Sequence, residues 1–160
     1  MTIDITTIIA WWGAILSTLV LIWDIYKWKM SGPKIRFTVQ TGMESINMPK
    51  YDGKTLILTN VTNYGEQPTT ITNLGLLWYK SIWSQVRSRP DKAFVIPNPN
   101  FDFPLPFQLT QGSVWSGITV QDEQIIDMAT KGRLYCMLSI SHSKKSEKLR
   151  VTIKPRLPSQ

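Results

Sequence analysis

The sequence predicts a membrane-spanning α-helix at the N-terminus, followed by an all-β antiparallel sandwich with one short helix. Three observations predict this fold: an apolar run without charges, a series of short strand patterns separated by turn residues, and a Gly-Pro pair between these two parts. We assign residues 1–30 to an anchor helix, residues 31–33 to a hinge and residues 34–160 to the sandwich domain.

The anchor lies between Asp4 and Asp24, which enclose nineteen residues without a formal charge. A helix of that length reaches about 28 Å, close to the ~30 Å hydrocarbon core of a bilayer. A secretory signal would instead carry a basic N-terminal region and a small-residue cleavage site, and the sequence has neither. A buried helix of a soluble core is the other alternative, but the rest of the chain offers no helical partner of similar length. The sequence therefore predicts a retained membrane span.

The charges beside the span predict its orientation. No Lys or Arg precedes it, whereas four basic residues follow it closely, namely Lys27, Lys29, Lys34 and Arg36. Basic residues are retained on the cytoplasmic side, so we expect the N-terminus outside and the following domain in the cytoplasm. The lone Cys136 forms no intramolecular disulfide, as expected in a reducing compartment. The sequence thus predicts a single-pass protein of the inner (cytoplasmic) membrane.

Small residues share one face of the predicted span. Gly13 and Ser17 are four residues apart, as are Ala10 and Ala14. Small side chains at this spacing let two helices approach closely in lipid, which favours a homo-oligomer. The alternative is chance, because small residues are common in membrane helices.

The positive charge of the chain belongs to the predicted domain. The whole chain has a net charge of +7, and the part from Lys34 onward holds 16 of the 18 Lys and Arg residues but nine of the eleven Asp and Glu residues. One explanation is attraction to the anionic inner leaflet of the membrane. The other is an anionic ligand such as a nucleotide, and charge alone does not distinguish the two.

The predicted strands follow one another along the domain. Residues 34–41 alternate between apolar and polar side chains, which is typical of a half-buried strand. Further strand patterns occupy residues 54–62, 68–80, 93–96, 107–120, 133–142 and 148–154. We expect a β-bulge at Gly75 and a hairpin around Gln111 and Gly112. The inward residues predicted for that hairpin are Val114, Ile118 and Val120.

One helix is predicted outside the anchor, in residues 121–132. Asp122 is a suitable N-cap, and Lys131 and Gly132 suit the C-terminal end. Residues 81–106 contain five prolines, and apart from the strand at 93–96 we expect this stretch to be irregular.

The layout resembles a group of bacterial single-pass membrane proteins with a C-terminal cytoplasmic immunoglobulin-like β-sandwich. The matching segments are "PKIRFTV", "LTNVTNYGEQPTTITNLGL" and "PFQLTQGSVWSGI", followed by a short helix and two closing strands. The resemblance covers most of the chain and departs from the group in residues 80–100, where the connection is longer. It implies a fold and a topology, and no catalytic residue.

Residues that carry catalysis or bind metal are scarce. The chain has one histidine, His142, and one cysteine, so a structural zinc site has no ligand set. Cys136 lies in an apolar alternating segment, which predicts a core residue rather than a nucleophile. No phosphate-binding glycine loop or nucleophile-elbow motif occurs. We expect no enzyme, no metal and no cofactor.

The candidate ligand-binding residues are an aromatic side chain and several cations in two loops. They are Trp83, Arg87, Arg89 and Lys92 in the irregular stretch, and Lys144 and Lys145 in the turn before the last strand. Arginine forks match phosphate oxygens and a tryptophan face stacks on a base. The alternative is two solvated loops that face the acidic leaflet.

Three hypotheses for the function remain open, and the weakest is a membrane-associated enzyme with a hidden site, because His, Cys and clustered carboxylates are scarce. The first is a non-enzymatic sensor or effector that binds an anionic ligand, such as a cyclic oligonucleotide second messenger, and acts through oligomerisation at the membrane. By its plan alone this resembles membrane-anchored antiphage effectors of cyclic-nucleotide and type III CRISPR signalling. The second is an adaptor or accessory subunit that recruits a protein partner to the inner membrane.

Overall fold

The computed structural model describes residues 4–153, which form two compact units that divide between Gly32 and Pro33. The first unit is the helix α1 (Ile5–Met30), as predicted for the anchor. Its segment Ile5–Lys29 is long and apolar enough to cross a membrane, and none of it is buried within the protein. The division after Gly32 falls within the predicted hinge. Residues 1–3, and residues 154–160 at the end of the predicted domain, lie outside the described part of the chain.

The second unit is a two-sheet antiparallel sandwich, which confirms the predicted fold class. One sheet has the order β1-β2-β6; the other has the order β4-β3-β7-β8, with β5 also paired to β3. This is the strand arrangement of an immunoglobulin-like sandwich. The strands are β1 (Ile35–Glu44), β2 (Thr55–Asn63), β3 (Thr69–Tyr79), β4 (Lys92–Val95), β5 (Phe107–Leu109), β6 (Val114–Val120), β7 (Arg133–Ile140) and β8 (Glu147–Arg150).

The core lies between the two sheets and follows the period of two that strands impose on their side chains. Every second residue of β7 is buried, from Leu134 through Cys136 and Leu138 to Ile140, as the alternation predicts. From the facing sheet, β2 contributes Ile57, Thr59, Val61 and Asn63. The predicted core role of Cys136 is confirmed, and burial raises the pKa of its thiol to about 11.

The predicted hairpin around Gln111 and Gly112 is wrong. The chain does reverse there, but β5 pairs with β3 in one sheet and β6 pairs with β2 in the other, so the turn crosses between the sheets. The phase of β6 also differs from the prediction, because Trp115 is buried and Val114 is 59% exposed.

The inward residues predicted for β6 are also wrong. Ile118 and Val120 are only half-buried and lie opposite Leu58 and Leu56 on the outer side of the β1-β2-β6 sheet. Gly117 takes the inward position instead, where a Cβ atom would lie 2.7 Å from the ring of Trp115.

The bulge in β3 lies at Thr72 rather than at Gly75, since the register with β7 shifts between Ile71 and Asn73. Gly75 has a different reason to be glycine. A Cβ atom at this position would lie 2.5 Å from the carbonyl oxygen of Phe94 on β4, so any side chain would separate the two strands.

Three short helical segments accompany the strands. The predicted helix is α3 (Glu123–Lys131), and the side chain of Asp122 caps it by accepting a hydrogen bond from the backbone N–H of Ile125. The other two segments were not predicted: a 3-10 turn at Pro49–Tyr51, and α2 (Ile82–Val86) within the irregular stretch.

The strand directions divide the loops between two ends of the sandwich. The linker-proximal end holds the start of β1 and the turns β2–β3, β5–β6 and β7–β8. The distal end holds the β1–β2 loop, α3 and the β3–β4 insertion (residues 80–91). This follows from the register, which places Asn63 opposite Ile35 at one end and Tyr79 opposite Arg133 at the other. The eight residues of β7 separate the two ends by about 23 Å.

Candidate binding surface on the β3–β4 insertion

The insertion is an ordered element built on α2. Ser81 caps this helix: its hydroxyl accepts a hydrogen bond from the backbone N–H of Ser84, and the Ser84 hydroxyl in turn accepts one from the Ser81 N–H. This reciprocal pair is a capping box, which fixes the first turn of a helix that is too short to be stable alone. The chain leaves the helix through backbone bonds from Arg87 to Trp83 and from Arg89 to Ser84.

Asp91 closes the base of the insertion. Its backbone N–H donates to the carbonyl oxygen of Trp78, and its Oδ2 accepts a 2.8 Å hydrogen bond from the backbone N–H of Lys80. That backbone bond lowers the pKa of the Asp91 carboxyl below its ordinary value of 3.8. The two ends of the insertion are therefore held together even though the loop itself is exposed.

One further contact ties α2 to the sheet. Nη1 of Arg133, the first residue of β7, donates a 2.8 Å hydrogen bond to Oε1 of Gln85. Beside it, Tyr79 is buried and meets Tyr135 edge to face at 5.6 Å between ring centres. These contacts hold the insertion against β3 and β7.

The side of the insertion turned to solvent carries three of the predicted ligand-binding residues. Trp83 is 75% exposed, and Arg87 and Arg89, which follow the helix, are also exposed. Neither arginine has an ion-pair partner among residues 4–153. The structure therefore places an exposed tryptophan and two exposed arginines, without ion-pair partners among the described residues, on one short, ordered segment.

Lys92 lies next to this segment, at the first position of β4, with its side chain directed elsewhere. Its Nζ is 5.9 Å from the ring centre of Trp78, on the neighbouring strand. It adds positive charge to the distal end and already has an aromatic contact of its own.

Lys144 and Lys145 lie at the linker-proximal end, in the β7–β8 turn. Ser143 shapes this turn: its hydroxyl donates to the carbonyl oxygen of Lys145 and accepts from the Lys145 N–H. Because β7 lies between this turn and the insertion, the two predicted basic clusters are about 23 Å apart. They do not converge on one ligand.

Three further aromatic residues of the domain pack within or against the sheets. Trp115 and Tyr79 are both 1% exposed, and Nε1 of Trp78 donates to the carbonyl oxygen of Met128 in α3. Tyr64 differs, since it is 58% exposed and the guanidinium of Arg36 lies 5.9 Å from its ring centre.

The residues with catalytic side chains are dispersed. His142 is exposed, and its Nδ1 lies 2.7 Å from the hydroxyl of Thr69. Cys136 is buried. Within residues 4–153 no three His, Cys, Asp or Glu side chains are grouped so that they could hold a metal ion.

Comparisons with known proteins give no family. No protein-family model and no curated protein matches the chain. Among solved structures it is similar to the crystal structure of a β-D-glucoside glucohydrolase from Trichoderma reesei, at 11% identity and a TM-score of 0.31 over 78% of this chain and 19% of that one. The chain spans about a fifth of the length of that enzyme. At this TM-score the likeness carries no argument about fold or function.

A second surface feature was missed by the sequence analysis. A cleft of about 460 Å³ lies between the β1–β2 loop and the segment before β5, on the outer side of β6. Its walls include Met48, Tyr51 and Phe101, and Nζ of Lys50 lies 3.2 Å from the ring centre of Phe101. In the sequence, the only indication of this cleft is that the β1–β2 loop has apolar residues among its turn residues. The cleft itself forms only because the fold brings this loop next to the segment before β5.

Proposed function

We propose that the protein is a membrane-anchored, non-enzymatic recognition module that binds an anionic ligand through its β3–β4 insertion. The observation that carries the proposal is an ordered insertion that exposes Trp83 together with Arg87 and Arg89, neither of which has an ion-pair partner among residues 4–153. In this proposal α1 spans the inner membrane once, with the N-terminus outside and the sandwich in the cytoplasm. The basic residues Lys27 and Lys29 in the last turn of α1 support that orientation.

The chemistry of the insertion favours a ligand with phosphate groups and a base. A guanidinium donates two parallel hydrogen bonds to a phosphate, and a tryptophan face stacks on a base. Charge-assisted hydrogen bonds contribute about 1.5–3 kcal/mol each, so loss of one arginine should weaken binding by about tenfold to a hundredfold. The capping box and Asp91 order the backbone that carries Trp83 and the arginines before the ligand arrives, which lowers the entropy lost on binding. A cyclic oligonucleotide has this combination of groups.

The first experiment is a thermal-unfolding screen of the full chain in detergent against nucleotides, cyclic oligonucleotides and inorganic polyphosphate, at low and high salt. A ligand that binds only the folded state raises the midpoint of unfolding. We expect a base-selective increase that persists in high salt and is lost in Trp83→Ala. An increase shared by every polyanion and abolished by salt would contradict specific recognition.

We also propose that ligand binding makes copies of the chain cluster in the membrane through one face of α1. Ala10, Gly13, Ala14 and Ser17 share this face within 100° around the helix axis. The Ser17 hydroxyl donates to the carbonyl oxygen of Gly13 at 2.8 Å, so the face presents no unsatisfied polar group to lipid. Nothing lies within 4 Å of the place where a Gly13 Cβ atom would be, so the surface is open to a second helix.

Gly13→Leu tests this face. Added bulk at the contact should separate the helices without adding a charge, so we expect the oligomer in detergent to dissociate to monomer, as measured by light scattering. Leu19→Ile, on the opposite side of α1, is the matched control and should leave the mass unchanged. An unchanged mass for Gly13→Leu would show that this face does not mediate association.

The adaptor hypothesis stays as the second candidate, because α2 also exposes apolar surface. Ile82 is 57% exposed and Val86 is 70% exposed, and their spacing of four places them on one face of α2. An exposed apolar group beside arginines is typical of protein-binding hot spots. The double variant Ile82→Ser/Val86→Ser distinguishes the two functions, since it should abolish binding of a protein partner and spare binding of a small anionic ligand.

A further inference from the structure

We propose that the linker-proximal end of the sandwich is a docking surface for the anionic lipid headgroups of the bilayer that α1 spans. The inference goes beyond ligand recognition by the insertion. It rests on one part of the proposed function, the membrane-spanning role of α1.

Backbone hydrogen bonds join the turns at this end into one rim. The N–H of Tyr64 donates to the carbonyl oxygen of Lys34, and the N–H of Gly112 donates to that of Asn63. The β7–β8 turn is joined to the start of β3 by a bond from Ser141 N–H to the Thr70 carbonyl oxygen. Charges on different turns are therefore held on the same surface.

The rim is basic. Its exposed cations are Lys34, Arg36, Lys144 and Lys145, and its exposed carboxylates are Glu66 and Glu147. None of these cations has an ion-pair partner in the part of the chain that the structure describes. The exposed Tyr64 lies beneath one of them, and tyrosine is enriched where protein meets the headgroup region.

Chain connectivity limits the distance between this end and the end of α1. Ile35 follows Met30 by five positions, so the covalent chain keeps the start of β1 within about 18 Å of the end of α1, whatever the arrangement of the two units. Attraction to an anionic leaflet decays with a Debye length of about 8 Å. The rim can come within that range, whereas the insertion lies about 23 Å farther along β7.

Between the β7–β8 turn and the insertion, the types of cation agree with this division. The two lysines of the β7–β8 turn are mobile point charges, which suit a fluid array of headgroups. The insertion carries arginines, whose planar forks suit a phosphate of fixed position. In this proposal Lys144 and Lys145 bind the anionic leaflet, and Arg87 and Arg89 bind a different ligand.

The test uses the full chain in nanodiscs of phosphatidylcholine, alone or mixed with phosphatidylglycerol, that carry a quencher on the headgroups. A fluorophore is attached at Gln111→Cys on the rim or at Gln124→Cys on α3 at the distal end; both positions are exposed, and the native Cys136 is buried. We expect strong quenching of the Gln111 label in the anionic nanodiscs only, and weak quenching of the Gln124 label in both.

Charge-neutral variants complete the experiment. Each lysine near an anionic surface changes the docking equilibrium about fivefold, so Lys144→Gln/Lys145→Gln should reduce the docked population ratio about 25-fold, and Arg87→Gln/Arg89→Gln should leave it unchanged. Equal quenching of the Gln111 label in both lipids, or no effect of the lysine variant, refutes the docking surface. Neither result bears on the spanning role of α1. A chain that does not enter nanodiscs refutes the spanning role of α1 and the docking surface with it.

Discussion

The two ends of the sandwich are built in different ways. At the linker-proximal end the fully buried Asn63 joins three chain segments: its Nδ2 donates to the carbonyl oxygens of Gln67 and Leu109, and its Oδ1 accepts from the N–H of Gly65. At the distal end the insertion is exposed, and the exposed Asp91 closes its base.

In the proposed function, this difference separates stability from recognition. Breaking the network of Asn63 exposes the ends of β2, β3 and β5 at once, so this end should control global unfolding. Opening the insertion disturbs no buried strand, so the distal end can exchange contacts with a ligand without loss of the fold. Substitutions at the two ends should therefore have effects of different size and kind.

Asn63→Ala should have the largest effect on stability. It leaves two carbonyl oxygens and one N–H without their partners at a buried site, and we expect a loss of about 3 kcal/mol in the free energy of unfolding. Chemical denaturation of the full chain in detergent measures it. Asn98→Ala, at an exposed position, is the matched control and should change the free energy by less than about 0.5 kcal/mol. Equal stabilities of the two variants would contradict the assigned role of Asn63.

Asp91→Ala should have a smaller, local effect. The variant removes the acceptor for the Lys80 N–H, so we expect faster hydrogen exchange at Lys80 and at Arg89 while the midpoint of global unfolding is unchanged. Mass spectrometry of exchanged peptides distinguishes this from a global change. A lowered unfolding midpoint would mean that the insertion belongs to the cooperative core.

The same contact predicts a pH dependence. The pKa of the Asp91 carboxyl is lowered in the folded chain, so its ordering effect is present above pH 3.8 and is lost as the pH falls through the lowered value. In the parent protein, exchange at Lys80 should therefore approach that of Asp91→Ala only below pH 3.8, after correction for the intrinsic pH dependence of exchange.

The sequence predicted those helices and strands whose formation depends on neighbouring residues in the chain. The charge-free run predicted α1, the alternation around Cys136 predicted β7, and the Asp122 cap predicted α3. The sequence Asn63-Tyr64-Gly65 is typical of a turn, although the bond from Asn63 to Leu109 needs the folded sheet.

Properties that depend on strand partners were not predictable in this way. The turn at Gln111 and Gly112 indicated a reversal of the chain, but nothing local specifies that the two flanking strands enter different sheets. The helix α2 was missed because its capping box uses two serines in place of the usual Ser and Glu. The separation of the basic clusters follows from the topology alone.

The most direct test of the account compares two charge reversals of equal size. Arg87→Glu/Arg89→Glu and Lys144→Glu/Lys145→Glu each change the net charge by four units, one at each end of the sandwich. With a ligand from the screen, isothermal titration of the full chain in detergent should show binding abolished by the arginine pair and retained by the lysine pair. Equal losses from both pairs, or loss from the lysine pair alone, would contradict recognition by the insertion.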